Sequence, residues 1–473
     1  MASRDTTHRF LRSTGAATFS QAWRVGVTFA TMLLLKRVIP AGDWGVWNWA
    51  LPLFLVLGAI RDLGLAYHVV RVKPRPFGNL LAQELVWGGA LVAFTFLFAP
   101  LLSSAYSESH ASVVPVLRWL TLFLFFEGLS TVPRVYFESE LAIGRAVVPE
   151  LLRNLCMAAV SVGLALNGFG IWSLVIGQVA AAALYAALLW WRAWGEIPLL
   201  WRRGDTLALI RQSAPLAFIW FLIILVRHVD PFILGWRFRG EVVGNYVFAY
   251  ENAFRVSEII FPAVGRALYP ALVAFGADLR KLFETYAMAT VFLLAIEVPT
   301  ALFLVLNAEI VLLLLGGAQW KEAPGYLRIL CFAPLADPIG RFGGEVLKAK
   351  NQDRVWILSL VVTLATYITG GILLTGLLGP SGMAWIKLLP LGGLIMAWSL
   401  YRIDRDGFLA LLRRISFVYL VPIPLFAAAY LLAGDNLKLR LALSLVSLAA
   451  SLLLSGRRFG PQFRAFFRGS SET

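Results

Sequence analysis

The stretch VWGGALVAFTFLFAPLL, Val86–Leu102, contains no charged residue. With its flanks it reaches the roughly 20 apolar residues that a helix needs to cross a hydrocarbon core. The apolar run is continuous. A strand of a membrane barrel would alternate polar and apolar residues over roughly ten positions. In lipid, backbone polar groups must pair inside the chain, and a helix does this within one segment. Val86–Leu102 therefore predicts a transmembrane helix, and the same pattern recurs along the chain.

The composition agrees. Of 473 residues, 59% are hydrophobic and 15% charged, with a mean hydropathy of +0.75. A soluble domain carries about a quarter charged residues. The two cysteines, Cys156 and Cys331, both fall inside apolar runs. That placement predicts packing rather than a disulfide framework. The first apolar run follows Arg4, Arg9 and Arg12, is long, and lacks an Ala-x-Ala cleavage pattern. It is expected to be a retained first span.

About 14 spans are predicted. The first seven are Ser13–Val38, Trp44–Val70, Asn79–Ser103, Val113–Phe137, Val147–Leu166, Ile171–Trp191 and Ile210–Leu234. The next five are Val242–Phe275, Glu284–Leu306, Gly325–Leu347, Val355–Leu378 and Met383–Tyr401. Phe417–Leu432 and Leu437–Leu454 complete the set. Lys and Arg divide about three to one in favour of the face that holds the N-terminus, with Arg71, Lys73, Arg75, Arg202, Arg203, Lys348 and Lys350 among them. The positive-inside rule then puts both termini in the cytoplasm. It also accounts for the net charge of +15, which in a soluble chain would point to nucleic acid; no nucleic-acid partner is expected. Trp44, Trp47, Trp49, Trp190, Trp191, Trp194 and Trp201 sit near expected interfaces and are read as an aromatic belt ahead of sugar stacking.

The chain echoes itself about 200 residues apart. Gly45-Val46-Trp47-Asn48-Trp49-Ala50 follows the first span, and Gly244-Asn245-Tyr246-Val247-Phe248-Ala249 follows the seventh. Arg134 and Glu138 are matched by Arg341 and Glu345, each pair at i, i+4. Six spans per half make the halves parallel, related by an axis along the membrane normal, with a site expected between them near the midplane. The expected division is 1–200 for the first six-helix lobe, 201–405 for the second, and 406–473 for two added helices and a basic tail.

No Gly-Lys dipeptide is present, so no Walker A loop and no ATP hydrolysis is expected. There is no His-Glu-x-x-His, and His8, His68, His110 and His228 are scattered over different segments. Neither a metal site nor a cofactor is expected. Asp404-Arg405-Asp406 is read as a solvated charge run.

Ionisable groups inside spans are costly unless they face a cavity or a partner, so they are functional candidates. Arg24 lies near mid-membrane with no carboxylate at helical spacing in its own span. Glu251, Arg255, Glu297, Asp337, Arg341 and Lys387 lie at depth in later spans. Glu251–Arg255 and Asp337–Arg341 stand at i, i+4, so simple neutralisation is an equal alternative for them. Arg61 and Glu84 lie close to the cytoplasmic surface, where hydration makes them cheap. Buried Arg suits phosphate, because its guanidinium stays charged and binds in a fork. The expectation is a lipid-borne polar anion, bound by Arg24, Arg255, Arg341 and Lys387. Glu251, Glu297 and Asp337 are the candidates for ion coupling or gating.

The opening of the chain resembles a known family. Lys36-Arg37-Val38-Ile39-Pro40-Ala41-Gly42-Asp43-Trp44-Gly45-Val46-Trp47, followed by Asp62-Leu63-Gly64-Leu65, is similar to the start of the polysaccharide-biosynthesis flippases. The likeness continues through Val132–Glu140, Gly170–Val175, Asp230–Tyr246, Phe261–Leu272 and Trp320–Leu330, over about the first 350 residues. The family belongs to the multidrug, oligosaccharidyl-lipid and polysaccharide exporter superfamily. The resemblance implies an all-α membrane protein of two six-helix lobes plus two C-terminal helices, working by alternating access. It implies a substrate, undecaprenyl-diphosphate-linked oligosaccharide, moved across the bacterial inner membrane for O-antigen, capsule or exopolysaccharide assembly. Membrane lipids, a polysaccharide polymerase and a chain-length regulator are the implied partners. The rivals are a multidrug antiporter, a peptidoglycan-precursor flippase, and an integral polymerase or glycosyltransferase. The last should show a large external loop with catalytic acids or bases, and none is present. No enzyme is expected.

Overall fold

A computed structural model describes residues 23, 26–62, 66, 69, 75–107, 110–140, 142, 144–200, 205–276 and 278–469. Every regular element among them is helical. In chain order these are α1 (26–38), α2 (Ala41–Asp62), α3 (Phe77–Ser103), α4 (His110–Ser139), α5 (Gly144–Leu166), α6 (Ile171–Arg192) and α7 (Asp205–Arg237). Then come α8 (Gly240–Ala253), α9 (Arg255–Ala274), α10 (Leu279–Leu306), α11 (Ala308–Gly316), α12 (Ala323–Leu330), α13 (Ala333–Ala336) and α14 (Gly340–Ala349). The last are α15 (Asp353–Leu378), α16 (Ser381–Ile386), α17 (Leu391–Ile403), α18 (Arg405–Leu420), α19 (Pro422–Ala433) and α20 (Leu437–Gly469).

Eleven helices among the described residues are long and apolar enough to cross a membrane. The first, eighth and tenth expected spans are outside that set. Of the first, only residue 23 and 26–38 are described, a stretch too short to count. The eighth is divided at Phe254 into α8 and α9, and the tenth into α12, α13 and α14. Pro334 and Pro338 account for the tenth: proline removes an amide donor and clashes with the preceding turn.

The chain divides into two compact units, Met1–Gly244 with Leu315–Gln319, and Asn245–Leu314 with Trp320–Thr473. In the first, α4, α6 and α7 bury much of their length, while only 11% of the apolar window of α5 is buried. The rest of the chain thus leaves most of α5 uncovered. One apolar cluster joins Phe77 and Leu80 to Val132 and Val135, and another joins Phe137, Tyr185 and Leu189. In the second unit α10 is the hub. Phe283, Tyr286 and Leu294 pack with Phe342 and Val346 of α14, Met396 and Leu400 of α17, and Leu411 of α18.

The glycines of the sequence echo meet in space. A Cβ on Gly45 would lie 1.8 Å from the Gly240 carbonyl oxygen, and one on Gly244 would lie 2.3 Å from the Ala41 carbonyl oxygen. Ala41-x-x-x-Gly45 of α2 thus crosses Gly240-x-x-x-Gly244 of α8, the small-residue spacing that lets helix backbones touch in lipid. The contact is reciprocal: exchanging residues about 200 apart turns one half of it into the other. The neighbouring Asp43 accepts from the Ile171 amide at 2.9 Å and caps α6, which ties the Asp43-Trp44-Gly45 motif to the Gly170-Ile171 motif.

Trp44, Trp47 and Trp49 correct the aromatic-belt expectation: all three are buried. The Lys36 ammonium lies 4.0 Å above the Trp44 ring, and Trp49 packs 5.2 Å from Tyr106. Trp191 and Trp194 are exposed, as a belt requires. Trp201 lies outside the described residues.

Candidate functional site

In the second unit two interrupted spans come together. Asp337, which precedes Pro338, has φ −123° and ψ 65°, outside the helical region. The Tyr419 hydroxyl donates to the Leu335 carbonyl and the Tyr286 hydroxyl to the Ile339 carbonyl, both at 2.7 Å. Backbone acceptors around the break are thereby satisfied away from water. The Asp337 carboxylate accepts from the Gly340 amide at 2.8 Å and caps α14.

The twelfth span breaks between Ile386 and Leu391, ahead of which Pro390 holds φ −87° and ψ 59°. Its restart carries Gly393, where an added Cβ would lie 2.5 Å from Asp337 Oδ1. The absence of a side chain there lets the two breaks touch. Charged groups at the breaks of discontinuous spans are a recurring way for transporters to hold ions and substrates.

The charges sort by depth. Glu297 of α10 is 2% exposed, and Arg341 Nη1 lies 3.2 Å from its Oε1. Neither Glu297 oxygen has a hydrogen bond by geometry. Arg341 is therefore paired across helices rather than with Asp337 or Glu345 on its own segment. The break places Asp337 outside α14, although it stays in electrostatic reach of Arg341. Its guanidinium also lies 5.7 Å from the Phe254 ring, at the bend of the eighth span. Lys387 is buried at the twelfth-span break, 3.8 Å from the Tyr367 ring and 5.6 Å from the Tyr250 ring. Such desolvated cation–π contacts are worth about 2 kcal/mol. Arg255 is half-buried at the start of α9, its Nε donating to Asn252 Oδ1 at 3.4 Å. Glu251 is half-buried one turn earlier. Arg24 lies outside the described residues.

The first unit holds pairs that the sequence reading took as hydrated or passed over. Arg61 and Glu84 are buried, with Arg61 Nε 3.0 Å from Glu84 Oε2 and Nη1 donating to the Leu124 carbonyl at 2.6 Å. Gly128 leaves room for that carboxylate. These two are not solvated groups at a surface but a packed ion pair. Glu127 pairs with Arg153, whose guanidinium lies 5.0 Å from the Tyr185 ring. Near the end of α6, Arg145 donates to both Glu196 oxygens and to the Arg192 carbonyl, and Arg192 returns a bond to the Arg145 carbonyl at 2.9 Å. The Arg145 hydrogen bond holds the Glu196 carboxyl below its usual range.

Among the described residues, no group of three or more His, Cys, Asp and Glu side chains could hold a metal ion. Both cysteines are free, Cys331 buried and Cys156 partly so.

Residues 34–324 match the family described as Polysaccharide biosynthesis protein. The chain is 23% identical over 415 residues to the succinoglycan biosynthesis transport protein ExoT of Rhizobium meliloti (strain 1021), covering 84% of this chain and 81% of that one. It is 21% identical over 346 residues to the lipopolysaccharide biosynthesis protein WzxC of Escherichia coli (strain K12), covering 69% and 67%. Among solved structures, the lipid II flippase MurJ in an inward closed conformation matches with a TM-score of 0.74 at 14% identity, over 96% of this chain and 100% of that chain. An inward-facing multidrug resistance MATE family transporter of the MOP superfamily matches with a TM-score of 0.61 at 14% identity, over 84% and 95%. The structural likenesses show a shared transporter fold. The family match spans more than half of the sequence, and the chain therefore belongs to the polysaccharide biosynthesis protein family.

Proposed function

We propose that this chain is a flippase that carries undecaprenyl-diphosphate-linked oligosaccharide from the cytoplasmic to the periplasmic leaflet of the bacterial inner membrane. The product would feed O-antigen, capsule or exopolysaccharide assembly. The observation that carries this reading is the match to a succinoglycan transport protein over about four-fifths of both chains. The flippase fold also accounts for nearly the whole chain, whereas the multidrug fold leaves more of it unmatched. A peptidoglycan-precursor lipid as cargo is the second reading, favoured by that same structural likeness.

In this reading both termini are cytoplasmic, and 1–200 and 201–405 form the two lobes, with 406–473 added. The reciprocal Gly45 and Gly244 contacts support the internal repeat from which this division is drawn. Arg24, Arg255 and Lys387 draw in the diphosphate. Arg341 serves Glu297 and, with Asp337, the coupling or gating step, with Glu251 one turn from Arg255. Alternating access then moves the headgroup while the lipid tail stays in the bilayer. A polymerase and a chain-length regulator receive the product.

The test is complementation. The gene should restore surface glycan in a strain lacking its own flippase for that glycan. It should not restore growth to a strain depleted of its lipid II flippase. Rescue of growth without rescue of glycan would transfer the assignment to the peptidoglycan precursor.

A further inference from the structure

A cleft between the first turns of α10 and α18 has no part in the reading above. Its volume is about 320 Å³. That lies at the small end of ligand sites, which run from about 300 to 1,000 Å³. It suits a headgroup rather than an oligosaccharide. Buried Phe283 and Leu411 line it, and Arg280, Glu284, Asp404, Asp406 and Arg414 supply its charged groups. Exposed Leu279, Leu409 and Leu412 lie on the same two turns. A membrane protein turns such side chains toward acyl chains.

The polar groups are unequally satisfied. Asp404 spends one oxygen capping α18 at the Gly407 amide, 3.1 Å away. Glu284 pairs with Arg280 at 3.2 Å, but both side chains are more than half exposed, so the pair is weak. Arg414 is half-buried and, among the described residues, has no carboxylate partner. Its Nη1 lies 3.5 Å from Met288 Sδ, a poor acceptor. Asp406 at the rim likewise has no ion pair among the described residues. The cleft thus offers a guanidinium without an anion and a carboxylate without a cation.

We propose that the cleft binds the phosphoethanolamine headgroup of a membrane phospholipid. The phosphate sits on Arg414 and the primary ammonium on Asp406, with Glu284 beside it. The acyl chains run along Leu409 and Leu412. Charge selects this headgroup. An anionic lipid such as phosphatidylglycerol would bring a phosphate for Arg414 but only neutral hydroxyls to Asp406, whose charge would stay uncompensated. A trimethylated ammonium has no N–H to donate. The bound lipid would fasten α18 to the hub helix α10, so its effect reads out as stability, independently of which glycan the protein carries.

The experiment uses the delipidated full chain in detergent. Phosphatidylethanolamine, phosphatidylcholine and phosphatidylglycerol with identical acyl chains are titrated in turn. The apparent unfolding temperature is recorded, and retained lipids are counted by native mass spectrometry. Phosphatidylethanolamine should raise the unfolding temperature and leave one lipid bound, and the other two should do neither. Losing a charge-assisted hydrogen bond to Arg414→Gln or Asp406→Asn should weaken the apparent affinity about tenfold. Arg414→Lys should keep part of it. Arg457→Gln, outside the cleft, should keep all of it. Soluble phosphoethanolamine should compete only weakly, because the acyl contacts are missing. Should Arg414→Gln fail to accumulate, the exposed Asp406→Asn carries the test alone. Equal stabilisation by the three lipids, or full binding by Asp406→Asn, would overturn the proposal.

Discussion

Replacing Arg341 with Gln should do more damage than replacing Glu297 with Gln, and replacing both should repair part of the loss. The pair lies at 3.2 Å, which at an effective dielectric of about 20 corresponds to an attraction of about 5 kcal/mol. Removing the guanidinium leaves a carboxylate that is 2% exposed and has no hydrogen bond by geometry. Orphaning one member of a buried pair costs about 3–5 kcal/mol. The reverse change leaves Arg341, whose side chain is 15% exposed and faces the Phe254 ring. Water reaches it more easily, so that loss should be about half as large. For 473 residues, at about 2.1 cal/mol/K per residue, the Arg341→Gln loss lowers the unfolding temperature by about 3–5 °C. The assay is thermal unfolding of purified wild type, both single variants and the double variant in one detergent. The double variant should be more stable than Arg341→Gln alone, with a coupling of about 2 kcal/mol. Additive losses would refute the pairing, and with it the account of the tenth-span break.

Three further outcomes follow from the structure and the sequence. Gly45→Val puts branched carbons where a Cβ already lies 1.8 Å from the Gly240 carbonyl oxygen; it should destabilise the protein by at least about 1–3 kcal/mol in the same unfolding assay, and Gly42→Val, whose Cβ meets nothing within 4 Å, should not. Glu196 has its carboxyl lowered from an ordinary 4.5 by its hydrogen bond to Arg145, so its contribution to stability is full above that value and lost as pH falls through the lower folded one; limited proteolysis of the 193–200 segment should accelerate over that window, and Glu196→Gln should flatten the dependence. Arg24→Lys should keep part of the glycan export and Arg24→Gln little, at normal protein level, as read by surface glycan beside immunoblots; full display by Arg24→Gln would remove it from the substrate path.

Hydropathy made the helices legible because lipid demands long apolar runs. It could not reveal the interruptions. Pro334, Pro338 and Pro390 sit in stretches that still read as spans despite Asp337, Arg341 and Lys387, and prolines such as Pro52, Pro149 and Pro299 lie inside unbroken helices. Which prolines break a span depends on tertiary donors such as the Tyr286 and Tyr419 hydroxyls. The aromatic-belt reading failed at Trp44, Trp47 and Trp49 because sequence does not distinguish a lipid neighbour from a protein neighbour. The same ambiguity hid the burial of Arg61 and Glu84, for which Gly88 and Gly128 are the readable signal: both glycines lie against that pair. Gly45 and Gly244 were readable as an echo. Their partners Ala41 and Gly240, each four residues earlier, carried the remaining signal. Helical spacing pairs Arg341 with residues of its own segment, so its partner on α10 was beyond reach of the sequence.

Direct reconstitution is the most immediate test of the flippase assignment. The purified protein is placed in liposomes with a fluorescent undecaprenyl-diphosphate-linked oligosaccharide of the host glycan confined to the inner leaflet. A membrane-impermeant glycan-binding protein outside then reports arrival. The account predicts arrival well above protein-free vesicles, strongly reduced in Arg24→Gln, with no transfer of a multidrug dye. Arrival no faster than in protein-free vesicles, by protein whose native fold is verified in the same preparation, would contradict it.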